Sequence, residues 1–287
     1  MLIVGVLGAL ACGNNADSSP AGPYGLRLDA RGAGSYEGRG QAAWVRDVLS
    51  SQLERARWFR EAGDGPELSA RLSYEERRSE DGVPLLRVTL VVEPDADLAT
   101  ALDAIDLALD AHVELERRDR TIDLRRDLPI AVERALALLD AKITIARSSV
   151  DDVAPLLDDD DPEVVLIALD GVERRRLHAL DDRVHALLDH DEERVAMRAV
   201  ECLGVIGGPE HAPALLRAAR LADRAHAYRL YEALAKLGGQ HARGFLEFAA
   251  RNEDDPELAT RAEQALAQLV AQEPSAVLDP VARGHRQ

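Results

Sequence analysis

The chain has 287 residues, 46% of them apolar but only 3% aromatic, and a formal net charge of −17. That length suits about two domains, with cores built from Leu, Ala, Val and Ile. Acids outnumber bases in both halves, 25 to 19 over residues 1–150 and 27 to 16 over residues 151–287, and a field of that sign repels phosphate backbones, so nucleic acid is excluded as an expected partner.

Met1 to Ala11 is apolar, small and uncharged. It is too short to span a bilayer and long enough for the apolar part of an export signal. It leads into Ala9-Leu10-Ala11-Cys12, with Ala9 where leucine is usual. This segment resembles the lipobox of bacterial lipoproteins. The resemblance implies a signal peptide over residues 1–12 and lipidation at Cys12, and so a protein at the cell envelope. Gly13 rather than Asp after the cysteine implies the periplasmic face of the outer membrane. Residues 13–23 are polar and turn-rich, the composition of a tether. No later stretch reaches the ~18 apolar residues of a spanning helix. Membrane contact is therefore expected through the lipid anchor only.

Residues 24–147 read as a first domain. Leu26, Leu28 and Ala30 alternate with polar residues, a short half-buried strand. Gly32 to Gly40 forms a glycine-rich connection whose spacing is not that of a phosphate loop, because no Gly-Lys-Ser/Thr follows. Val45, Val48, Leu49, Leu53, Ala56 and Phe59 share one helical face. Leu68–Tyr74 and Leu86–Val92 alternate as two strands around the turn signal Glu80-Asp81-Gly82. A helix near Leu98–Leu109, a strand at Val113 and Leu115, and a helix from Asp127-Leu128-Pro129 onward complete the set. This order predicts a small α/β sandwich with the sheet covered on one side. By element order it resembles the N-terminal domain of TolB-like periplasmic lipoproteins.

Residues 148–272 repeat. Asp161-Pro162-Glu163-Val164 returns as Asp255-Pro256-Glu257-Leu258, three periods of roughly 31 residues later. Gly207-Gly208 returns as Gly238-Gly239, and Leu203 maps to Leu234. Asp161 and Pro162 suit the first positions of a helix, and the glycine pairs suit left-handed residues after one. The period predicts about four stacked helix pairs, each too small to bury its apolar face alone. The Leu-Leu of the first helices, the Asp-Pro-Glu turn and the Ala–Leu–Gly series of the second helices resemble HEAT repeats, in the short form seen in repeats of bilin-lyase type. Ala196, Ala199, Leu203 and Gly204 carry that series, as do Ala233, Leu234, Leu237 and Gly238. The predicted fold class is thus α+β overall: a small α/β sandwich domain, then an all-α HEAT-like solenoid. Residues 273–287 read as a disordered tail.

Local chemistry is sparse. Asp158–Asp161 ends at a helix start, where negative charge suits the dipole, and lacks the alternation of a calcium loop. Asp189-His190-Asp191-Glu192-Glu193 reads as a surface turn, since His185 and His190, five apart, do not share a helix face. Cys202 reads as a small buried hydrophobe. Tyr228 and Tyr231, three apart on a second helix, are candidate partner-binding residues, one in the core and one on a groove. No catalytic, cofactor-binding or metal residues are expected. The expected function is a non-enzymatic, envelope-anchored scaffold or adaptor for a protein partner bearing a basic patch. The alternatives are a regulator or lyase-like chaperone of a cofactor protein, and a hydrolytic enzyme whose site is scattered in sequence.

Overall fold

The computed structural model describes residues 23–29, 39–63, 66–118, 121–218 and 224–272. Cys12, the export signal, most of the tether, Gly32–Gly38 and residues 273–287 lie outside the described residues.

The first part is a five-stranded sheet with helices on one face. Its strands are β1 (Tyr24–Asp29), β2 (Phe59–Glu61), β3 (Glu67–Arg78), β4 (Pro84–Glu93) and β5 (Asp110–Glu116), in the order β2-β1-β3-β4-β5. Strands β2 and β3 flank β1 in parallel, and β3, β4 and β5 are antiparallel. Alternation decides which face is covered. Leu68, Ala70, Leu72 and Tyr74 are buried, whereas Glu67, Ser69 and Arg71 between them are exposed. The β3–β4 hairpin turns at Gly82, whose φ of +79° is the left-handed conformation glycine tolerates.

Three helices lie against this sheet: α1 (Arg39–Leu53), α2 (Ala96–Asp103) and α3 (Leu124–Arg147). Two sequence expectations need correction. The first helix does not extend to Phe59. It ends at Leu53, and Phe59 opens β2. The Asp140 carboxylate on α3 accepts the amides of Arg57 (2.7 Å) and Trp58 (2.9 Å), and the Trp58 indole donates to Thr144 Oγ1 (2.8 Å). These bonds hold the chain extended where it passes α3. The second helix likewise stops at Asp103, short of Leu109. Asp106 then takes a φ of +48°, which turns the chain into β5.

The second part is a stack of helix pairs. First-position helices are short and broken by 3-10 turns: α4 (Val150–Val153), α6 (Asp181–Ala186) and α8 (Ala212–Ala218). The last, α10 (Gly239–Asn252), is continuous. Second-position helices are α5 (Pro162–Arg175), α7 (Glu193–Ile206), α9 (Arg224–Leu237) and α11 (Pro256–Gln272). The second helices pack in series, α5 on α7, α7 on α9 and α9 on α11. Their apolar faces merge into one core that includes Val165, Ala199, Leu203, Leu234 and Leu269. Asp161 caps α5, accepting the Glu163 amide at 3.1 Å.

Helix α3 begins this stack. It packs on β4, β5, α1 and α2 on one side and on α5 on the other. Most of its apolar residues, Leu128 to Ile143, lie in the core under the sheet, and Ile145 lies in the core of the stack. At the junction, a side chain on Gly171 of α5 would collide with Ile145.

The glycine pairs do different work from that expected. Gly238 and Gly239 have φ of +74° and +85°, left-handed as predicted. Gly207 and Gly208 have φ of −76° and −100°, which any residue adopts. Gly207 is needed for space: a Cβ there would lie 2.7 Å from the Leu203 carbonyl oxygen, whereas one on Gly208 would meet only the flexible end of Glu210.

Candidate functional site

The second helices pack in series into one layer, and the charges on its surface are interlocked at the spacing of the repeat. Arg134 of α3 pairs with Asp161 at the start of α5 through two bonds of 2.8 and 3.0 Å. Arg194 of α7 reaches Glu163 of α5 at 2.7 Å, 31 residues away. Arg224 of α9 pairs with Asp255 and Glu257 at the start of α11. Deeper along the same helices, Arg198 holds Asp170 (2.6 Å), Glu173 (2.5 Å) and Glu201 (3.2 Å), and Arg229 holds Glu201 (3.2 Å). The face is therefore a cross-braced lattice of both signs rather than a plainly acidic one. Exposed pairs of this kind add little stability each, but they fix the register of one helix against the next.

Exposed acids collect instead on one edge of the stack. Arg194–Glu163 and Arg224–Asp255 join the starts of neighbouring second helices, so the turns that precede those helices lie on the same side. Those turns carry Asp159, Asp160, Asp189, Asp191 and Asp254, all exposed.

A groove of about 330 Å³ opens between α9 and α11, lined by Tyr228, Tyr231, Glu232, Arg261, Gln264, Ala265 and Gln268. The two tyrosines share this groove but differ in burial. Tyr231 is 2% exposed, tilts against Phe245 of α10 and donates from its hydroxyl to Glu253 at 3.2 Å. Burial, with Glu253 nearby, pushes its phenol up to about 12. Tyr228 is half-buried, and the Arg261 guanidinium lies 5.2 Å from its ring centre. One tyrosine forms the floor of the groove and the other its wall. An aromatic ring, a guanidinium and two glutamines suit the side chains of a protein partner.

Other residues singled out in the sequence are dispersed. Cys202 is wholly buried, burial pushes its thiol up to about 12, and Sγ lies 3.6 Å from the Leu169 carbonyl oxygen. His190 Nδ1 accepts the Glu192 amide at 3.0 Å, within its own turn. His185 does not join His190. It stands instead against His211, 26 residues along, with ring centres 5.5 Å apart. Sequence spacing could not show that neighbour.

Residues 180–267 match the family model of HEAT repeats. The match spans the pairs from α6 to most of α11 and leaves the sheet, α3 and α5 outside it. The solenoid thus has the repeat character that the periodicity predicted. No curated protein matches the chain.

Proposed function

We propose that this protein is a non-enzymatic scaffold that holds a protein partner at the cell envelope, anchored through lipid on Cys12 at the periplasmic face of the outer membrane. The observation that carries the reading is the continuous face of second helices ending in the groove at Tyr228. HEAT repeats generally mediate protein–protein interaction, which supports a binding role for such a face. The partner carries a basic patch. Support for this comes from the exposed acids along the turn edge and from the −17 charge of the chain. Association through exposed charges weakens with salt, because screening acts over ~8 Å at physiological ionic strength.

The test uses the full chain with Cys12→Ser as bait against envelope extract at low and high salt, beside the same bait carrying Tyr228→Ala. A partner retained at low salt, released at high salt and reduced by Tyr228→Ala is the expected result. Recovery that ignores both salt and Tyr228 overturns the assigned face. Turnover of a small molecule by the purified chain overturns the scaffold reading.

A further inference from the structure

The layer of first helices holds a cluster that the binding face does not use. Asp181 opens α6. Glu210 and His211 lie in the 3-10 turn just before α8. One oxygen of each carboxylate and one ring nitrogen of His211 lie within 4.8 Å of one another.

Three details set this cluster apart from a chance meeting of polar groups. The His211 side chain is only 8% exposed, and its Nε2 stands 3.4 Å from Asp181 Oδ2. That is long for a charge-assisted hydrogen bond, normally ~2.7–2.9 Å. It matches the ~3.3 Å edge between two ligands of a tetrahedral zinc ion with bonds of ~2.0–2.1 Å. Asp181 is also oriented: its Oδ1 accepts the Asp182 amide at 2.8 Å, which turns Oδ2 toward the histidine. Finally, the Glu210 carboxylate folds back over Gly208, where a Cβ would lie 2.6 Å from Glu210 Cδ. Gly208 has an ordinary backbone conformation, and the flexible end of Glu210 uses the space that the missing side chain leaves open. The His185 ring stands edge-on beside His211.

We propose that Asp181, Glu210 and His211 bind a zinc ion that ties the first helices of two successive repeats together. The fourth position falls to water. Imidazole with two carboxylates selects zinc and its neighbours among the transition metals over magnesium and calcium, which favour oxygen-only sets. Asp181 and His211 are 30 residues apart, one repeat, so the ion joins what the chain supplies once per pair.

The experiment is a calorimetric titration of the metal-free full chain with zinc chloride, paired with thermal melts. One equivalent should bind and raise the melting temperature. His211→Asn should abolish binding. Glu210→Gln and Gly208→Ala alter an exposed carboxylate and its cradle. They should keep the metal-free melting temperature and weaken zinc by about tenfold or more. His190→Ala, on the turn edge, should change nothing. Absence of a one-equivalent site, unchanged affinity in Glu210→Gln, or zinc binding that follows His190 rather than His211 overturns the proposal. Equal stabilisation by calcium overturns the choice of metal.

Discussion

A Cβ placed on Gly204 would lie 2.7 Å from Ala233 Cα, so the second helices α7 and α9 touch nearly backbone to backbone. Neither neighbour can give way cheaply, because the atom met is main chain. Gly204→Ala is expected to destabilise the protein by ~1–3 kcal/mol despite its better helix propensity. Chemical denaturation midpoints measure it. An unchanged or raised midpoint would place the α7–α9 contact elsewhere.

Leu203, beside it, is fully buried in the core of the stack. Leu203→Ala should cost ~2–5 kcal/mol through lost burial and the cavity left behind. The loss should appear as one cooperative transition of the repeats, since each pair buries its face only against its neighbours. A separate, unshifted transition for α9–α11 by hydrogen exchange would refute that coupling.

Asp140 makes stability depend on pH in an unusual direction. Burial raises its carboxyl from the ordinary 3.8 to about 6 against the pull of the Arg57 and Trp58 amides. The folded protein therefore holds this proton more tightly than the unfolded chain does. Its stabilising contribution is complete below about pH 4 and is lost as pH rises through about 6. Unfolding midpoints measured across that window should fall for the wild type relative to Asp140→Asn. Parallel curves for the two proteins would be the contrary result.

Asp127 has the opposite sign. It is wholly buried at the start of α3 and takes hydrogen bonds from Arg126, Arg117 and the Asp123 amide, which hold its carboxyl far below the usual carboxylate range. Its contribution is present above about pH 4 and is lost as pH falls below that value. Asp127→Ala leaves two arginines without their shared partner and should cost up to ~3 kcal/mol at neutral pH, read from melting. Tolerance of this change without loss would mean that water replaces the carboxylate.

Lipidation is tested at one residue. Two or three acyl chains hold a protein firmly to a membrane, whereas one gives marginal binding. Cys12→Ser should move the protein from the membrane fraction to the soluble one, and mass spectrometry should find the acyl groups on Cys12 in the wild type. A wild-type chain that is soluble and unmodified would refute the anchor.

The legible features of this sequence were those whose signal is local. Asp161 and Pro162 announced a helix start, and the three-residue spacing of Tyr228 and Tyr231 placed both rings at one groove. Strand β2 was not legible, because three residues carry too little alternation and their organiser, Asp140, lies more than 80 positions along. The spatial requirement at Gly207 could not be told from a conformational one, since both demand the same residue. The His211 cluster draws its members from two repeats, so no motif window contains it.

The shared helix α3 has a mechanical meaning. Its 24 residues form a rod of about 36 Å, gripped along most of its length by the sheet and, from Arg134 to Ile145, by α5. Tension entering at the N-terminal strand and leaving through the last repeat must pass along this rod. Neither part can be stretched without loading the other. Removing residues 1–147 would strip α5 of the surface it rests on, so the two parts act as one spring rather than two beads on a string.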